Sequence, residues 1–317
     1  MLTKRLANLN AYKLTPATRG TSSWTARVTA IREINPDILA LQEVVIDERV
    51  TSRDCWDREA ASLIQDLAAH CGLTAAVGTT NGYPHGTAMA ANWHRPWWTA
   101  LLWNPETVQL VEDSYRPFGA PDFWHGCTTA RFDVGAQEPI LVASYHGDPF
   151  RPDFRYNEAL RLKGIFRTAG GVKSGFVMGD FNALSAAQVR AADGTLHYYD
   201  HEPYTGQDHD DLEYQLMEGT IGSTQLADRR QTEALLRRGF MVDAAAHLGA
   251  PQHPTVGHWP DGKGDPDPWG ERRIDLILAT RPAAPSLIRY GIHRSPAALN
   301  AADHLMPYID INPENIG

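Results

Sequence analysis

The chain has 317 residues, of which 43% are hydrophobic and 21% charged. This length and composition suit a globular protein with a substantial core and exclude a disordered or fibrous chain. The formal net charge of −9 at pH 7 argues against tight, sequence-independent binding to long duplex DNA, because proteins that bind it use a basic face.

Strand-like and helix-like segments alternate along the chain. Short apolar or alternating runs predict strands at 5–10, 38–42, 98–103, 128–134, 140–146, 176–178, 274–279 and 306–311. Apolar residues at helical spacing predict helices at 24–35, 55–71, 154–167 and 224–238. Because several strands follow one another without a helix between them, the sequence predicts an α/β layered fold with mixed sheets rather than a doubly wound parallel sheet.

Two polar stretches rich in turn-forming residues interrupt this pattern, at 193–211 and 250–270. Their composition predicts loops that do not divide the chain, so we expect a single domain over residues 1–317. Long loops in compact enzymes often border the active site.

Polar side chains recur where the predicted strands end. Asn8 and Asn10 alternate on the first strand, so both can face one side of a sheet. Carboxylates follow buried strands at Glu43 and Asp180, where burial is costly unless another group pairs with them. Further polar residues in or beside strands are Asn182, Asp275, His146, Asp303 and His304. Such oxygen ligands suit Mg²⁺ or Mn²⁺, and no cysteine–histidine cluster indicates a zinc site.

Five segments resemble, in order, the motifs of the endonuclease/exonuclease/phosphatase superfamily, which has the DNase-I-like fold. They are 7–10 (Ala-Asn-Leu-Asn), 35–44 (Asn-Pro-Asp-Ile-Leu-Ala-Leu-Gln-Glu-Val), 179–183 (Gly-Asp-Phe-Asn-Ala), 273–278 (Arg-Ile-Asp-Leu-Ile-Leu) and 302–304 (Ala-Asp-His). Together they span nearly the whole chain. The resemblance implies a four-layer α/β sandwich, in which two mixed β-sheets pack face to face with helices outside.

The resemblance also implies a metal site and a base. Glu43 would be the main ligand of Mg²⁺ or Mn²⁺, with Asn10 at or near the metal and Asp303 in its shell. Asp180 would position and deprotonate the attacking water, and Asn182 would hold Asp180 or a phosphate oxygen. A carboxylate base needs neighbours that set its pKa, and these residues can supply them.

The remaining candidates would act on the phosphoryl group and its surroundings. His304 would donate a hydrogen bond to the phosphoryl oxygen, and Asp275 behind it would orient the ring. Asn8 would support the site by hydrogen bonding, and His146 would lie near the leaving group. Ala302 departs from the family, which usually has a serine before Asp-His, but this change removes no ligand.

The function implied is a divalent-metal-dependent phosphoester hydrolase: a phosphodiesterase, nuclease or phosphatase. The acidic balance favours a small molecule or single-stranded nucleic acid over long duplex DNA as substrate. Two alternatives stay open: a specialised small-molecule hydrolase of secondary metabolism, and a non-catalytic module that binds a phosphorylated ligand. The sequence indicates no protein partner.

Other residues leave a structural and a functional interpretation open. The loop tryptophans are expected either to stack on a substrate ring or to anchor their loops; they are Trp124, Trp259 and Trp269. Three arginines on or before a predicted helix could reach phosphate or form a solvated face; they are Arg151, Arg155 and Arg161.

The N-terminus and the cysteines predict a cytoplasmic protein. No apolar stretch follows the charged start of the chain, so we expect no secretory signal, and no run of about 18 apolar residues predicts a membrane span. Cys55, Cys71 and Cys127 are odd in number and lack metal-type spacing, so we expect reduced thiols.

Overall fold

The structure, a computed structural model, describes residues 3–49, 51–78, 85–92, 94–217, 224–260 and 267–317. Its strands are β1 (Lys4–Leu14), β2 (Ile38–Val45), β3 (Met89–Ala91), β4 (Trp97–Trp103), β5 (Gln109–Leu110), β6 (Arg116–Phe118), β7 (Gly126–Asp133), β8 (Ile140–His146), β9 (Gly175–Asp180), β10 (Gln188–Arg190), β11 (Leu196–Tyr198), β12 (Met241–Asp243), β13 (Asp275–Thr280), β14 (Leu287–Ile292) and β15 (Pro307–Ile311). Its α-helices are α1 (Ser22–Ile34), α2 (Trp56–Cys71), α3 (Pro152–Phe166), α4 (Arg230–Leu236), α5 (Ala244–His247) and α6 (Pro296–Ala301).

Most strands belong to two mixed sheets. The first has the order β14–β15–β1–β2–β4–β3, and the second has the order β12–β13–β9–β8–β7–β5, with β6 also paired to β7. Each sheet contains one parallel pair near its centre, β1 with β2 and β8 with β9. The strands β10 and β11 form a separate hairpin.

Apolar side chains fill three interfaces between four layers. Between the sheets, Leu6 and Ile38 of the first belong to one buried cluster with Phe176 and Ile277 of the second. Helices α1, α2 and α6 cover the outer face of the first sheet, and α3 and α4 cover the outer face of the second. The predicted four-layer α/β sandwich is therefore confirmed.

Helix ends coincide with the capping signals in the sequence. At the start of α1, Thr21 Oγ1 accepts a hydrogen bond from the backbone N–H of Trp24 at 3.3 Å. The same helix ends at Asn35, which adopts the left-handed conformation with φ 49°. Helix α2 ends at Gly72 with φ 72°, a conformation that costs glycine little because it has no Cβ.

Strand β2 differs from its prediction. The run 38–42 was expected to end at Glu43, but β2 continues to Val45. Glu43 has φ 58°, and the pairing of β2 with β4 shifts register between Leu41 and Val44. This irregularity is a bulge that changes the direction of the Glu43 side chain.

Two further segments differ from the alternating pattern read in the sequence. Residues 224–229 are not helical, and α4 begins at Arg230. The stretch 193–211 contains β11, and a 3₁₀ helix begins in it at Asp210. Residues 261–266 of the stretch 250–270 lie outside the described residues.

In the part of the chain that the structure describes, no helix is both long and apolar enough to cross a membrane. The three cysteines, Cys55, Cys71 and Cys127, are free, as expected.

Candidate functional site

Three neighbouring strands of the second sheet bring polar side chains into one row. The register pairs Asp180, at the end of β9, with His146 of β8 and with Asp275 of β13. The residue before this aspartate is Gly179, where a Cβ would overlap the carbonyl oxygen of Tyr145. Glycine at this position therefore allows β8 and β9 to approach closely beside the row.

The first sheet faces this row with two buried asparagines. Asn8 donates to Asp275 Oδ1 at 3.3 Å, and Asn10 donates to Asp180 Oδ2 at 2.9 Å. The same Asn10 amide donates to Glu43 Oε1 at 3.2 Å. The alternation predicted for Asn8 and Asn10 thus directs both side chains towards the opposite sheet.

His304 lies between several carboxylates. Its Nδ1 donates to Asp275 Oδ2 at 2.7 Å. Its Nε2 lies 3.9 Å from both Asp180 Oδ2 and Asp303 Oδ1. Burial opposes a charge on this ring, but the carboxylates of Asp275, Asp303 and Asp180 outweigh burial and raise the pKa of His304 well above its usual value.

Asn182 and His146 complete the surroundings of Asp180. The backbone N–H of Asn182, which has φ 48°, donates to Asp180 Oδ1 at 2.8 Å. Its side chain donates to the carbonyl oxygen of Gly147 at 3.1 Å. His146 Nε2 lies 3.5 Å from Asp180 Oδ2, so all nine residues selected from the sequence form one connected set of contacts.

The site holds more negative charge than it neutralises. Burial raises the pKa of Asp180 to about 7, and it also raises the pKa values of Glu43 and Asp303. Burial, together with the nearby rings of His125 and His304, lowers the pKa of His146 well below its usual value. His146 is therefore a neutral ring beside carboxylates that lack a full set of cations.

Two groups of side chains could hold a metal ion. Ligand atoms of Asp180, Asp275 and His304 all lie within 4.8 Å of one another. In that group His304 Nδ1 already bonds Asp275, and the raised pKa of His304 favours the protonated ring, which cannot bind a metal. The other group contains Glu43 and Asp303, and Asp303 Oδ1 is buried with no hydrogen-bond partner among the described residues.

A buried arginine that the sequence analysis did not select supports the Glu43 side. Arg27 of α1 donates from Nε to the carbonyl oxygen of Ala11 at 2.8 Å and from Nη2 to that of Tyr12 at 3.1 Å. Tyr12 and Lys13 have positive φ values of 46° and 50°. In this turn the N–H of Tyr12 donates to Asn10 Oδ1 at 3.1 Å, and the N–H of Lys13 donates to Glu43 Oε2 at 2.9 Å.

Neither Arg27 nor His125 was selected from the sequence. The sequence contains a signal for the role of Arg27 but none for that of His125. Arg27 lies in the stripe that α1 buries, with Trp24, Ile31 and Ile34. A charged residue in such a stripe is costly to bury unless it is paired. His125 packs flat against His146, with ring centroids 4.0 Å apart and planes at 13°.

The loop tryptophans have different surroundings. Trp259 donates from Nε1 to the carbonyl oxygen of Leu299 at 2.7 Å and packs edge-on against Tyr12. Both rings line a cleft of about 210 Å³ that reaches Asp303 and His304. Trp269 packs edge-on against His209 with centroids 4.7 Å apart, which makes it a loop anchor.

All three selected arginines have partners within the protein, and Arg151, which pairs with Asp148 at 2.7 Å, also lies over the Trp124 ring. Arg155 is buried and donates to the carbonyl oxygens of Asp148 at 2.8 Å and Tyr214 at 2.6 Å. Arg161 forms an ion pair with Asp122 at 2.9 Å on the surface of α3. Neither group is free to bind phosphate at the site.

Comparison with known proteins identifies the family. A family model described as "Endonuclease/Exonuclease/phosphatase family" matches residues 10–304. The chain belongs to this family. No curated protein gives a significant match to the whole sequence.

Solved structures of endonuclease/exonuclease/phosphatase proteins share the fold at low identity. An endonuclease/exonuclease/phosphatase from Bacteroides vulgatus is 16% identical with a TM-score of 0.59, over 98% of this chain and 99% of that one. A mannosyl-6-phosphatase from Bacteroides thetaiotaomicron is 15% identical with a TM-score of 0.55, over 96% and 98%. D. rerio TDP2, in complex with a single-strand DNA product, is 12% identical with a TM-score of 0.58, over 98% and 99%.

Proposed function

We propose that this chain is a divalent-metal-dependent phosphoester hydrolase that activates water for in-line attack on phosphorus. The observation that supports this most strongly is the environment of Asp180. Its two oxygens accept hydrogen bonds from the Asn182 N–H at 2.8 Å and from Asn10 at 2.9 Å, and two imidazole rings face it. A carboxylate fixed by hydrogen bonds can orient a water molecule and take its proton, and a cationic donor beside it can stabilise negative charge on the phosphoryl group.

The residues present fit a divalent cation on the Glu43 side. The charge of Asp303 is close enough to raise the pKa of Glu43, and Asp303 Oδ1 has no hydrogen-bond partner among the described residues. Hard oxygen ligands of this kind suit Mg²⁺ or Mn²⁺. Asn10 presents its amide hydrogens to Glu43 and Asp180, so it would contribute an oxygen only after its amide turns over. A bound cation would supply Lewis acidity towards a phosphate oxygen and neutralise its charge.

The protein side chains then divide the chemistry. Asp180 orients a water molecule and takes its proton. His304, kept protonated by its carboxylate neighbours, donates from Nε2 to a phosphoryl oxygen as negative charge builds there. Asp275 fixes the ring of His304, and Asn8 holds Asp275 in turn. In the sheet, Asp180 has Asp275 on one side and His146 on the other. We place the leaving group on the His146 side.

The site suits a small or single-stranded substrate. The cleft beside His304 measures about 210 Å³, which is below the usual range for sites that enclose drug-sized ligands. Among proteins of this fold, one is a mannosyl-6-phosphatase and another has been seen with a single-strand DNA product. The fold is therefore compatible both with a small phosphorylated substrate and with single-stranded DNA.

The function is tested by hydrolysis with and without Mg²⁺ or Mn²⁺. The panel contains an aryl phosphodiester, an aryl phosphomonoester, single- and double-stranded DNA, RNA and nucleotides. We expect metal-dependent turnover and formation of a phosphate product. Turnover without any phosphate product would indicate a hydrolase of a different bond, and binding without turnover would indicate a ligand-binding module.

The Glu43 assignment is tested in the same assay. Glu43→Gln should lose activity mainly through weaker metal binding, so excess Mn²⁺ should restore part of it. Glu106→Gln is the control, because Glu106 is an exposed acid outside the site. Loss of activity that no metal concentration restores would remove Glu43 from the ligand set.

A further inference from the structure

Trp124 forms a rim of the site between two arginines. The guanidinium carbons of Arg95 and Arg151 lie 3.7 and 4.3 Å from the centroid of its ring. Buried groups fix this loop, because the Trp124 N–H donates to Glu158 at 2.7 Å and its carbonyl oxygen accepts from Asn92 at 2.7 Å. We call Arg95, Trp124 and Arg151 the Arg95 rim; its position is set before any ligand binds.

The Arg95 rim adjoins the proposed centre. His125, which follows Trp124, stacks on His146, and His146 Nε2 lies 3.5 Å from Asp180 Oδ2. Burial and the nearby charge of Arg95 together lower the pKa of His125 to about 3, so this link carries no charge of its own. The stacked, neutral rings of His125 and His146 therefore lie between the Arg95 rim and Asp180, the proposed base.

A groove of about 560 Å³ joins the rim to the Glu43 side of the site. Arg95, Trp97 and Lys13 line it. The backbone N–H of Lys13 donates to Glu43 Oε2, so the groove starts beside the proposed metal ligand. Trp97 also packs against His125, with ring centroids 5.4 Å apart.

The charges along this groove and rim leave Arg95 available. Arg49 is paired with Asp47 at 2.9 Å, and Arg151 is paired with Asp148 at 2.7 Å. Glu48, which is exposed, also lines the groove. Among the described residues, no carboxylate lies within 4.0 Å of the Arg95 guanidinium. A guanidinium that lies over an indole ring directs its N–H donors outward in the plane of the guanidinium, where they can bind an anion.

We propose that the Arg95 rim binds a second anionic group of the substrate, a phosphate or phosphodiester that is not cleaved. The proposal rests on the function proposed above, because it assigns the reacting phosphate to the Asp180 centre and the second one to Arg95. Charge-assisted hydrogen bonds from a stacked arginine give such a contact both strength and direction. The preferred substrates are therefore compounds with two phosphates or single strands with neighbouring phosphodiesters.

The test compares two esters with the same reacting bond. Thymidine 5′-(p-nitrophenyl phosphate) carries one phosphate, and its 3′-phosphorylated form carries a second. In the wild-type chain we expect the 3′-phosphate to lower KM about tenfold with little change in kcat, as for an added charge-assisted contact. Arg95→Gln should lose this advantage, and Arg95→Lys should keep part of it because the charge remains.

Matched controls separate charge from folding. Arg161→Gln removes an arginine that is paired with Asp122 outside the site, so it should keep the full advantage of the 3′-phosphate. Circular dichroism and a thermal unfolding curve establish that Arg95→Gln is folded. Equal KM values for the two esters in the wild type, or an advantage that Arg95→Gln retains, would overturn the proposal and leave the hydrolase standing.

A binding measurement in EDTA distinguishes this failure from failure of the proposed function. If no substrate of the panel is hydrolysed, the proposed function fails, and calorimetric titration of the two esters still tests whether the Arg95 rim binds the second phosphate. A preference for the 3′-phosphorylated ester that Arg95→Gln loses supports the rim, and equal affinities overturn it. Titration of glucose 1,6-bisphosphate against glucose 1-phosphate tells whether a sugar bisphosphate or a nucleotide supplies the second phosphate.

Discussion

Arg273 and Asp275, two residues apart in the chain, belong to two different buried charged clusters. The two clusters are built differently. One is the Arg273 cluster, formed by Arg273, Asp200 and Asp243. The other is the acidic cluster at the candidate site, formed by the carboxylates of Glu43, Asp180, Asp275 and Asp303 around His304. Both use carboxylates and a cation inside the protein, so their differences show what each arrangement is for.

The Arg273 cluster is balanced, because its two carboxylates face the guanidinium of Arg273 and the charge of the buried Arg229 also acts on Asp200. Arg273 donates two hydrogen bonds of 2.8 Å to Asp200 and two of 3.3 and 2.7 Å to Asp243, and all three residues are buried. Asp243 also caps α5 by accepting from Ala245 at 3.0 Å. Every charged group here has partners within the cluster or in the adjacent backbone, and its contribution is to stability.

The acidic cluster is not balanced. Four carboxylates face His304, while the nearby guanidinium of Arg27 binds carbonyl oxygens rather than an acid. Burial raises the pKa values of Glu43, Asp180 and Asp303, and Asp303 Oδ1 has no partner among the described residues. Perturbed acids with unmet partners are typical of sites that bind a ligand and carry out chemistry. Buried charge alone therefore does not mark a site; buried charge without partners does.

The largest expected effect is the loss of activity in Asp180→Asn. Asparagine has the same shape but cannot take a proton, so we expect turnover of an aryl phosphodiester to fall by three to four orders of magnitude. The free energy of unfolding in EDTA should change little, because removing a poorly compensated buried charge offsets the acceptor that an amide denies to Asn10 or to the Asn182 N–H. Glu233→Gln, which alters an exposed acid paired with Arg237 outside the site, is the control. A loss of stability of several kcal/mol in Asp180→Asn, as expected for breaking a buried ion pair, would mean that the acidic cluster is balanced after all.

The opposite result is expected for Arg273→Met. This change leaves Asp200 and Asp243 buried without their cation, which costs about 3–5 kcal/mol of stability. Urea denaturation measures it directly, and turnover per folded molecule should change much less than in Asp180→Asn. A loss below about 1 kcal/mol, within the range of exposed ion pairs, would contradict the role assigned to the cluster.

The sequence predicted the candidate residues of the acidic cluster better than it predicted the Arg273 cluster. Alternation on one strand indicated where Asn8 and Asn10 face, and the segment 273–278 indicated Asp275. The roles of these residues remain predictions. The partners of Arg273 come from a polar stretch and a three-residue strand, and neither has a periodicity that would indicate burial. Pairing over 73 and 30 residues depends on topology, which local pattern does not contain.

The edge strand β14 was missed for a related physical reason. Its side chains are largely exposed or half-buried, because it lies at the edge of the first sheet and packs on one side only. An alternating apolar pattern is weak in such a strand. The bulge at Glu43 was missed because a positive φ at a glutamate has no sequence signal, although it is required to direct the carboxylate.

Glu158 is intermediate between the Arg273 cluster and the acidic cluster. Its environment predicts that the stability of the protein depends on pH. Among the described residues no cation forms an ion pair with Glu158, but it accepts hydrogen bonds from the Tyr145 hydroxyl at 2.5 Å and from the N–H groups of Trp124 at 2.7 Å and Asp148 at 3.1 Å. Burial outweighs these bonds and raises its pKa from 4.5 to about 7. The native state therefore holds this proton more tightly than the unfolded state, so stability falls as pH rises through the interval between the two pKa values.

The expected size of this effect is about 2 kcal/mol lost between pH 5.5 and 8 through Glu158 alone. Glu158→Gln should show no such change, so the difference between wild type and variant should shift by that amount over the same range. Urea denaturation at the two pH values measures it. The variant is expected to be less stable at pH 5.5, because an amide cannot accept from both backbone donors. A wild-type-minus-variant difference that does not depend on pH would contradict the raised pKa.

The smallest expected effect concerns Arg27, the cation that the acidic cluster does not use as a direct partner. Arg27→Met removes the two hydrogen bonds that hold the Tyr12–Lys13 turn, whose N–H groups fix Asn10 and Glu43. We expect the Kd for Mn²⁺, measured by calorimetry, to rise about tenfold, or about 1.4 kcal/mol. Arg32→Met, an exposed arginine on the same helix, should leave it unchanged.

The sign of this effect decides what Arg27 does. Losing a positive charge near Glu43 and Asp303 favours a bound cation, whereas losing the brace disfavours it. Because the guanidinium contacts carbonyl oxygens at 2.8 and 3.1 Å, we expect the loss of the brace to dominate. Arg27→Lys keeps the charge but lacks the fork that reaches both carbonyls, so it should weaken Mn²⁺ binding as much as Arg27→Met. Tighter binding in Arg27→Met would show instead that Arg27 is the missing counter-charge, and the two clusters would then differ in geometry rather than in balance.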